Sequence, residues 1–342
     1  MDEVFHQDIV CSICIANYNG ANVLAACLDS VFQQAFPYPF EVIVHDDAST
    51  DGSADIITQK YPAVRLLQSP TNVGFCVSNN RMAVVARGRF LLLLNNDAEL
   101  HRDALATLYN VAVRQNVYGI LGLPQYSMAT GELIDRGSLL DLFCNPIPNL
   151  NQSRREVGMI IGACLWLPRR LWEELGGFPE WFESLAEDMY LCCYARVKGY
   201  PVIALAASGF NHWVGESFGG GKVVGRTLQT TYRRRTRSER NKTYVMLLCY
   251  PAPLAQVLVP FHLLLLAVEG LLLSAFKKDA RIWKDIYRAC FAALWHRRHM
   301  LMRLRREIQA TRRASLKTFY STHTFWPHKL TMLIKYGLPI LK

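Results

Sequence analysis

Three groups of side chains in this 342-residue sequence have types and spacings that could act on a charged substrate. The first is Asn95-Asn96-Asp97, which stops the unbroken apolar run Phe90 to Leu94. A carboxylate and two amides delivered together at the end of a buried strand suit a hard divalent cation and a diphosphate, because such cations prefer carboxylate oxygens. The same residues also suit an ordinary turn, and the segment alone leaves both readings open. The second group, Asp46-Asp47, follows another apolar run, Phe40 to Val44. The third, Glu187-Asp188, stands at the start of a helical pattern, where carboxylates cap free N–H groups and complement the helix dipole.

The elements that must position these groups follow from periodicity. Ile9 to Ile15, Phe40 to Val44, Val64 to Leu67 and Phe90 to Leu94 read as buried strands, being short apolar runs bounded by polar residues. Between them, Val23 to Phe32, the stretch from Ser53 to Tyr61, and Val77 to Ala86 read as helices. Strands alternating with helices at this spacing predict an α/β fold with a mainly parallel sheet flanked by helices. Asp46, Asp47 and Asp97 then fall along one edge of that sheet, the edge at which open α/β sheets bind ligands. Turn chemistry does not require the two clusters to share an edge. Gly119 to Arg155 reads as short strands and loops, Gly158 to Leu167 as a further buried strand, and Val202 to Ala206 as another.

Composition divides the chain. Residues 233–342 hold 22 Lys and Arg against 5 Asp and Glu, whereas residues 1–232 hold 16 against 23. An acidic front joined to a basic, Leu- and Trp-rich rear predicts two parts with different partners. The ten cysteines include Cys11 and Cys14 at CxxC spacing, but inside an apolar run and without a second pair. They read as small buried hydrophobes in a reducing compartment rather than as disulfides or zinc ligands. The polar, acidic start MDEVFHQD lacks the pattern of a signal peptide.

The segments IANYNG, VIVHDDASTDGS, NVGF and LLLLNNDAEL resemble, in order and spacing, the nucleotide-sugar half of the family-2 glycosyltransferases with the GT-A (Rossmann-like) fold. The resemblance covers about residues 9–215 and is closest to bacterial rhamnosyl- and galactofuranosyltransferases. It implies that Asp46 contacts the nucleotide base, with Asn17, Asn19, Asp47, Asn72 and Asn96 around the donor. It implies Mg²⁺ or Mn²⁺ held by Asp97 with His212, although only one outer position of the usual D-x-D pattern is a carboxylate here. GGFPEWF followed by Glu187-Asp188 resembles the family's acceptor segment. By that likeness Asp188 is the catalytic base, with Glu187, Trp181 and Gly177 on the acceptor side. Arg240-Asn241 resembles an Arg-Asn pair of the rhamnosyltransferase-like members and gives Arg240 phosphate contacts; a solvated basic helix is the other reading. The run Gly215 to Gly221 reads as a flap over the donor or as a plain linker.

Residues 1–231 are thus expected to form the GT-A domain, and residues 232–342 a basic, amphipathic, membrane-associating helical region. Tyr244 to Phe276 is the most apolar stretch, but Pro251, Pro253, Gln256, Pro260, His262 and Glu269 interrupt it. A span needs about 20 apolar residues. Helices lying in an interface, apolar face inward and basic face toward anionic lipid, fit better. No nucleic-acid motif is present, so the basic residues point to lipid. The expectation is an inverting, metal-dependent glycosyltransferase on the cytoplasmic face of a bacterial inner membrane. Its donor is a nucleoside-diphosphate sugar and its acceptor an oligosaccharide or lipid-linked glycan. Two other readings stay open: a sugar-nucleotide nucleotidyltransferase, which would need a Gly-rich phosphate loop where IANYNG stands, and a non-catalytic membrane adaptor of the same fold.

Overall fold

The computed structural model describes residues 8–213, 222–224 and 227–342. The front of the chain alternates β1 (Cys11–Asn17), α1 (Leu24–Phe32), β2 (Phe40–Asp46), α2 (Ser53–Lys60), β3 (Arg65–Gln68), α3 (Phe75–Val85) and β4 (Phe90–Asn95). The short strands β5 (Ala98–Leu100), β6 (Ile120–Gly122) and β7 (Gln125–Ser127) follow, then β8 (Cys164–Pro168). Next come α4 (Glu187–Val197), β9 (Val202–Ala204) and β10 (Phe210–His212).

Seven strands form one sheet in the order β9-β6-β8-β4-β1-β2-β3. All neighbours are parallel except β8, which runs antiparallel to β4 and β6. The mainly parallel α/β sheet expected from periodicity is therefore present. The unbroken apolar runs follow from burial on both faces: Leu91, Leu92 and Leu93 of β4 are each 0 % exposed. Pairing carries the strands further than their apolar runs. Asn17 sits opposite Asp46 in the β1–β2 register, and Asn95 opposite Ala16 in β1–β4. The strand expected over Gly158 to Leu167 is shorter, because residues 158–163 turn before β8 begins.

The chain order reverses at β1, with β2 and β3 on one side of it and β4 on the other. Such a reversal opens a crevice at the carboxyl ends of the strands. A small second sheet stands beside that end. In it β10 pairs antiparallel with β5 and parallel with β7, placing His212 opposite Ala98 and Ser127.

The rear of the chain is helical: α5 (Tyr232–Cys249), α6 (Leu254–Lys277), α7 (Arg288–Ala310) and α8 (His328–Tyr336). It shares packing with the front. One hydrophobic core contains Leu93 of β4, Leu165 of β8, Leu191 and Cys193 of α4, and Tyr244, Met246 and Leu248 of α5. The basic run of α5 is also not a solvated face. Arg235 and Lys242 surround Glu239, which is 1 % exposed, together with Lys329 of α8. Arg235 and Lys329 also pair with Glu269 of α6. Burial alone would raise the Glu239 carboxyl, but Lys242, Lys329 and Arg235 hold it well below its usual range. All ten cysteines are free and buried.

Truncation after Thr231 removes the buried α5 face from the core it shares with α4. The fragment should lose cooperative thermal unfolding. A sharp melt with a native near-ultraviolet spectrum would show instead that the helical region is peripheral to the fold.

Candidate active site

The strand ends assemble the site through side-chain amides. Asn17 Nδ2 donates to Asp46 Oδ1 at 2.9 Å, and Asn96 Nδ2 donates to Asn17 Oδ1 at 2.8 Å. The two asparagines thereby link the end of β2 to the turn after β4. Gly20 makes that closeness possible: a Cβ there would stand 2.2 Å from Asn96 Nδ2 and 2.4 Å from Asn17 Oδ1. Asp46 Oδ2 accepts from the Ser49 amide at 3.2 Å. Asn19, at the exposed lip, accepts from the Thr50 amide at 2.9 Å. Asp47 has another task, because its carboxylate accepts the amides of Val73 and Gly74 at 2.7 and 2.8 Å. Of the donor-side residues expected from the sequence, Asp46, Asn17 and Asn96 are therefore joined directly. Asp47 staples the Asn72-Val73-Gly74 loop, and Asn72 is exposed on it.

Asp97 and His212 meet on the other side of Asn96. His212 Nε2 lies 3.1 Å from Asp97 Oδ1, and both residues are buried. The β5–β10 pairing creates this contact by placing His212 opposite Ala98, the residue after Asp97. The ring is fixed from behind by Gln125 of β7, whose Nε2 stands 2.9 Å from His212 Nδ1. Side-chain amide and imidazole orientations are interchangeable in such a pair. With the Gln125 oxygen taking the Nδ1 proton, Nε2 presents its lone pair beside Asp97. Two donors bound at about 2.1 Å and at right angles stand about 3.0 Å apart, so the pair fits one small divalent cation. Among the described residues no group of three His, Cys, Asp or Glu forms a ready-made cage. Two protein donors plus substrate phosphates and water match the way Mg²⁺ is usually held.

Asp188 reaches the same edge through β8. The Asn95 amide donates to Ala163 O at 3.0 Å, and the neighbouring Gly162 amide donates to Asp188 Oδ2 at 2.9 Å. Met189 N donates to Asp188 Oδ1 at 2.7 Å. Burial raises the Asp188 carboxyl above its ordinary range, and these two amides draw it back. Glu187 is also raised, by burial and then by the Asp188 charge, and its buried Oε2 has no hydrogen-bond partner. Asp188 is thus the carboxylate of the pair that faces two backbone donors.

The remaining expected residues serve the frame. Gly177 has φ +68°, and a Cβ there would stand 2.7 Å from Asn80 Oδ1. Trp181 packs edge-on against Phe182 and Tyr244 of α5, with Arg297 of α7 over its ring at 5.5 Å. Arg240, to which the resemblance gives phosphate contacts, has protein partners here. Its Nη2 donates to Phe182 O at 3.2 Å, its Nε to Asn241 Oδ1 at 3.0 Å, and Glu183 is its charge partner. An α5 packed on the loop before Asp188 turns this arginine inward to that loop. The glycine-rich run Gly215 to Gly221 lies outside the described residues. Gln125 and Gly162 were missed in the sequence, and Asn241 was noted only as part of the Arg240-Asn241 pair, with no role of its own. Each acts through a partner distant in the chain.

Comparisons with known proteins follow this geometry. Residues 12–176 match the family model described as Glycosyl transferase family 2. A poly(ribitol-phosphate) beta-glucosyltransferase from Bacillus spizizenii is 35 % identical over 104 residues, covering 29 % of this chain and 16 % of that one. An N-acetylglucosaminyl-diphospho-decaprenol L-rhamnosyltransferase from Mycobacterium tuberculosis is 27 % identical over 185 residues, covering 45 % of this chain and 60 % of that one. The chain thus spans less than two thirds of the length of either relative. Among solved structures, a mannosyltransferase from Pyrobaculum calidifontis in complex with GDP-Man and Mn²⁺ superposes with a TM-score of 0.52 at 18 % identity, covering 91 % of this chain and 87 % of that one. At that identity the likeness is one of fold, the GT-A-like α/β sheet.

A charge test follows from the carboxylate pair. An unfolded Glu titrates near 4.3, and the folded value of Glu187 is raised, so the native state holds that proton more tightly. Stability is then lost as pH rises from about 4.3 through the raised value. Glu187→Gln removes this loss. Its melting temperature should match wild type near pH 4 and exceed it increasingly toward pH 9. A difference that does not change with pH would remove the raised Glu187 from the account.

Proposed function

Residues 12–176 are a glycosyl transferase family 2 domain, and from that premise we propose that the protein is an inverting glycosyltransferase using a nucleoside-diphosphate sugar. One observation carries the reading. Asp46, the Asp97–His212 pair and Asp188 are joined at one sheet edge through Asn17–Asn96 and Asn95–Ala163–Gly162. These groups divide the work of one displacement. Asp46 and Asn17 face the nucleotide end of the donor. Asp97 and His212 would hold Mg²⁺ or Mn²⁺, which when bound neutralises the charge of the departing diphosphate. Asp188 takes the proton of the acceptor hydroxyl as its oxygen attacks the anomeric carbon and the carbon–diphosphate bond breaks. Asp188 is the group placed to accept that proton, and no covalent step is required, so the anomeric centre inverts. The rhamnosyltransferase relative is named for a diphospho-decaprenol acceptor, which supports a lipid-linked glycan as the acceptor class here.

The location we propose is the cytoplasmic face of a bacterial inner membrane, held on its surface. Helix α6 is 24 residues long and, among the described residues, the one helix apolar enough to cross a bilayer. It is amphipathic in packing rather than in composition. Ala255, Val259, His262, Leu266, Gly270 and Leu273 face the body, while Val257, Phe261, Leu264, Val268, Leu271 and Leu272 are exposed. The polar interruptions His262 and Glu269 serve the inner face, where His262 Nε2 stands 2.9 Å from Thr243 Oγ1 of α5. An exposed apolar stripe on a basic helical region suits anionic lipid.

A screen of nucleoside-diphosphate sugars with Mg²⁺ or Mn²⁺, read by binding and slow hydrolysis, tests the function. Asp188→Asn should reduce transfer by about 10²- to 10⁴-fold and leave donor binding nearly unchanged, whereas Asp97→Ala should abolish the cation dependence of donor binding. Donor binding equal with and without the cation in wild type would defeat the metal role. Undiminished transfer by Asp188→Asn would defeat the base.

Membrane attachment is read separately on the full chain. Val257→Ser/Phe261→Ser/Leu264→Ser changes only exposed side chains. Each apolar side chain that enters lipid contributes about 1.5–3 kcal/mol, so the triple variant should stay in the supernatant when anionic vesicles are sedimented. Continued sedimentation would place the attachment elsewhere.

A further inference from the structure

The stretch just before Asp188 follows a path that side chains disfavour. Glu183, Leu185 and Ala186 have φ of 66°, 73° and 64°, and none is glycine. Non-glycine residues visit this left-handed region rarely and singly, so three within four positions need an outside hold. Helix α5 supplies it. Asn241, 0 % exposed, donates through Nδ2 to Phe182 O at 3.0 Å, Ser184 O at 3.0 Å and Leu185 O at 2.8 Å. Its own Oδ1 accepts from Arg240 Nε at 3.0 Å, which fixes the amide with its NH₂ toward the loop. Arg237 adds a bond to Ser184 Oγ at 3.3 Å and an ion pair with Glu183. From the opposite side Cys76 N, at the start of α3, donates to Glu183 O at 3.4 Å.

This loop leads straight into α4. Ala186 O accepts the Tyr190 amide at 2.9 Å as the helix begins, and Asp188 sits in its first turn against Gly162 N at 2.9 Å. A relaxed backbone at 183–186 would swing the first turn of α4 away from residue 162.

We propose that Asn241 is a positioning residue for the transfer reaction, holding the left-handed loop 182–185 so that Asp188 stays seated on the Gly162 amide. The proposal rests on Asp188 acting as the base. Asn241 touches neither donor nor acceptor. It works through three backbone carbonyls, and it makes the helical rear of the chain part of the catalytic apparatus as well as its attachment. Helix α5 is itself tied to α6 and α8 by the ion network of Arg235, Glu239 and Lys242 with Glu269 and Lys329.

The test compares full-length wild type, Asn241→Ala, Asn241→Ala/Ala186→Gly and Asp188→Asn in kcat, donor KM and nucleotide affinity, each per folded molecule. Small misplacements of a reacting group cost about 10²-fold, so Asn241→Ala should lower kcat about 30- to 100-fold with donor KM and nucleotide affinity changed less than about threefold. Glycine enters the left-handed region freely, and Ala186→Gly added to Asn241→Ala should recover about tenfold of the loss. A merely structural Asn241 would depress all parameters together and give no recovery with glycine; that result, or an unchanged kcat, overturns the proposal. Should Asn241→Ala fail to fold, Arg237→Gln loosens the same loop and should lower kcat with donor KM constant; wild-type kcat in that variant overturns it equally. Undiminished transfer by Asp188→Asn is a different failure, because it removes the base and with it the object being positioned.

Discussion

A buried carboxylate is costly unless something faces it, and for Asp188 that is the pair of amides from Gly162 and Met189. Burial pushes the carboxyl up, toward the neutral acid. The two N–H groups favour the anion, and they come from different elements: Met189 from the helix itself, Gly162 from the turn before β8. Gly162 lies directly beside Asp188; a Cβ there would stand 3.5 Å from Asp188 Cβ, an ordinary contact. Its neighbour Ala163 is in turn held by the Asn95 amide. The surroundings of Asp188 and the position of the Asp97–His212 pair are thus tied to the same strand end.

That dependence explains why β8 runs against its neighbours. An antiparallel strand between β4 and β6 begins where they finish, so the turn entering it arrives at the carboxyl edge of the sheet. A parallel strand in that slot would bring its entry loop to the far edge, away from Asp97. The reversal delivers backbone amides to an edge otherwise supplied by strand termini, and α4 docks onto them.

How much of this was legible in the sequence depends on the range of the signal. Phe90 to Leu94 declared itself because burial on both faces leaves an unbroken apolar run and the polar stop marks its end. Asp46 and Asp97 at one edge followed from the βα alternation alone. The roles of Asp188 and His212 came from likeness to a family, since capping explains a Glu-Asp helix start equally well. Asn17 lies beyond the apolar run Ile9 to Ile15, and its pairing with Asp46 keeps it in β1. Gln125 behind His212 depends on β7 and β10 lying side by side, a pairing between segments 85 residues apart in register. Arg240 and Arg235 of α5 find their carboxylates far along the chain, in Glu183 and Glu269, and a run of positive charge looks solvated until those are found.

The same ion network decides how α6 can meet a membrane. To cross a bilayer the helix would have to leave the body, stripping Glu269 from Arg235 and Lys329. These side chains are partly buried, and removing one partner leaves the opposite charge stranded. Lipid tails offer no compensation to the inner stripe, since Leu266 and Leu273 are already buried and hydrocarbon is no more apolar than the core they would leave. Only the exposed stripe gains from lipid, and it gains that fully by lying flat on the surface. On the proposed attachment, the loss falls on spanning and the gain is available without it, which favours a helix that keeps to the body and offers one face. Helix α5, packed beneath it, keeps its grip on the loop before Asp188.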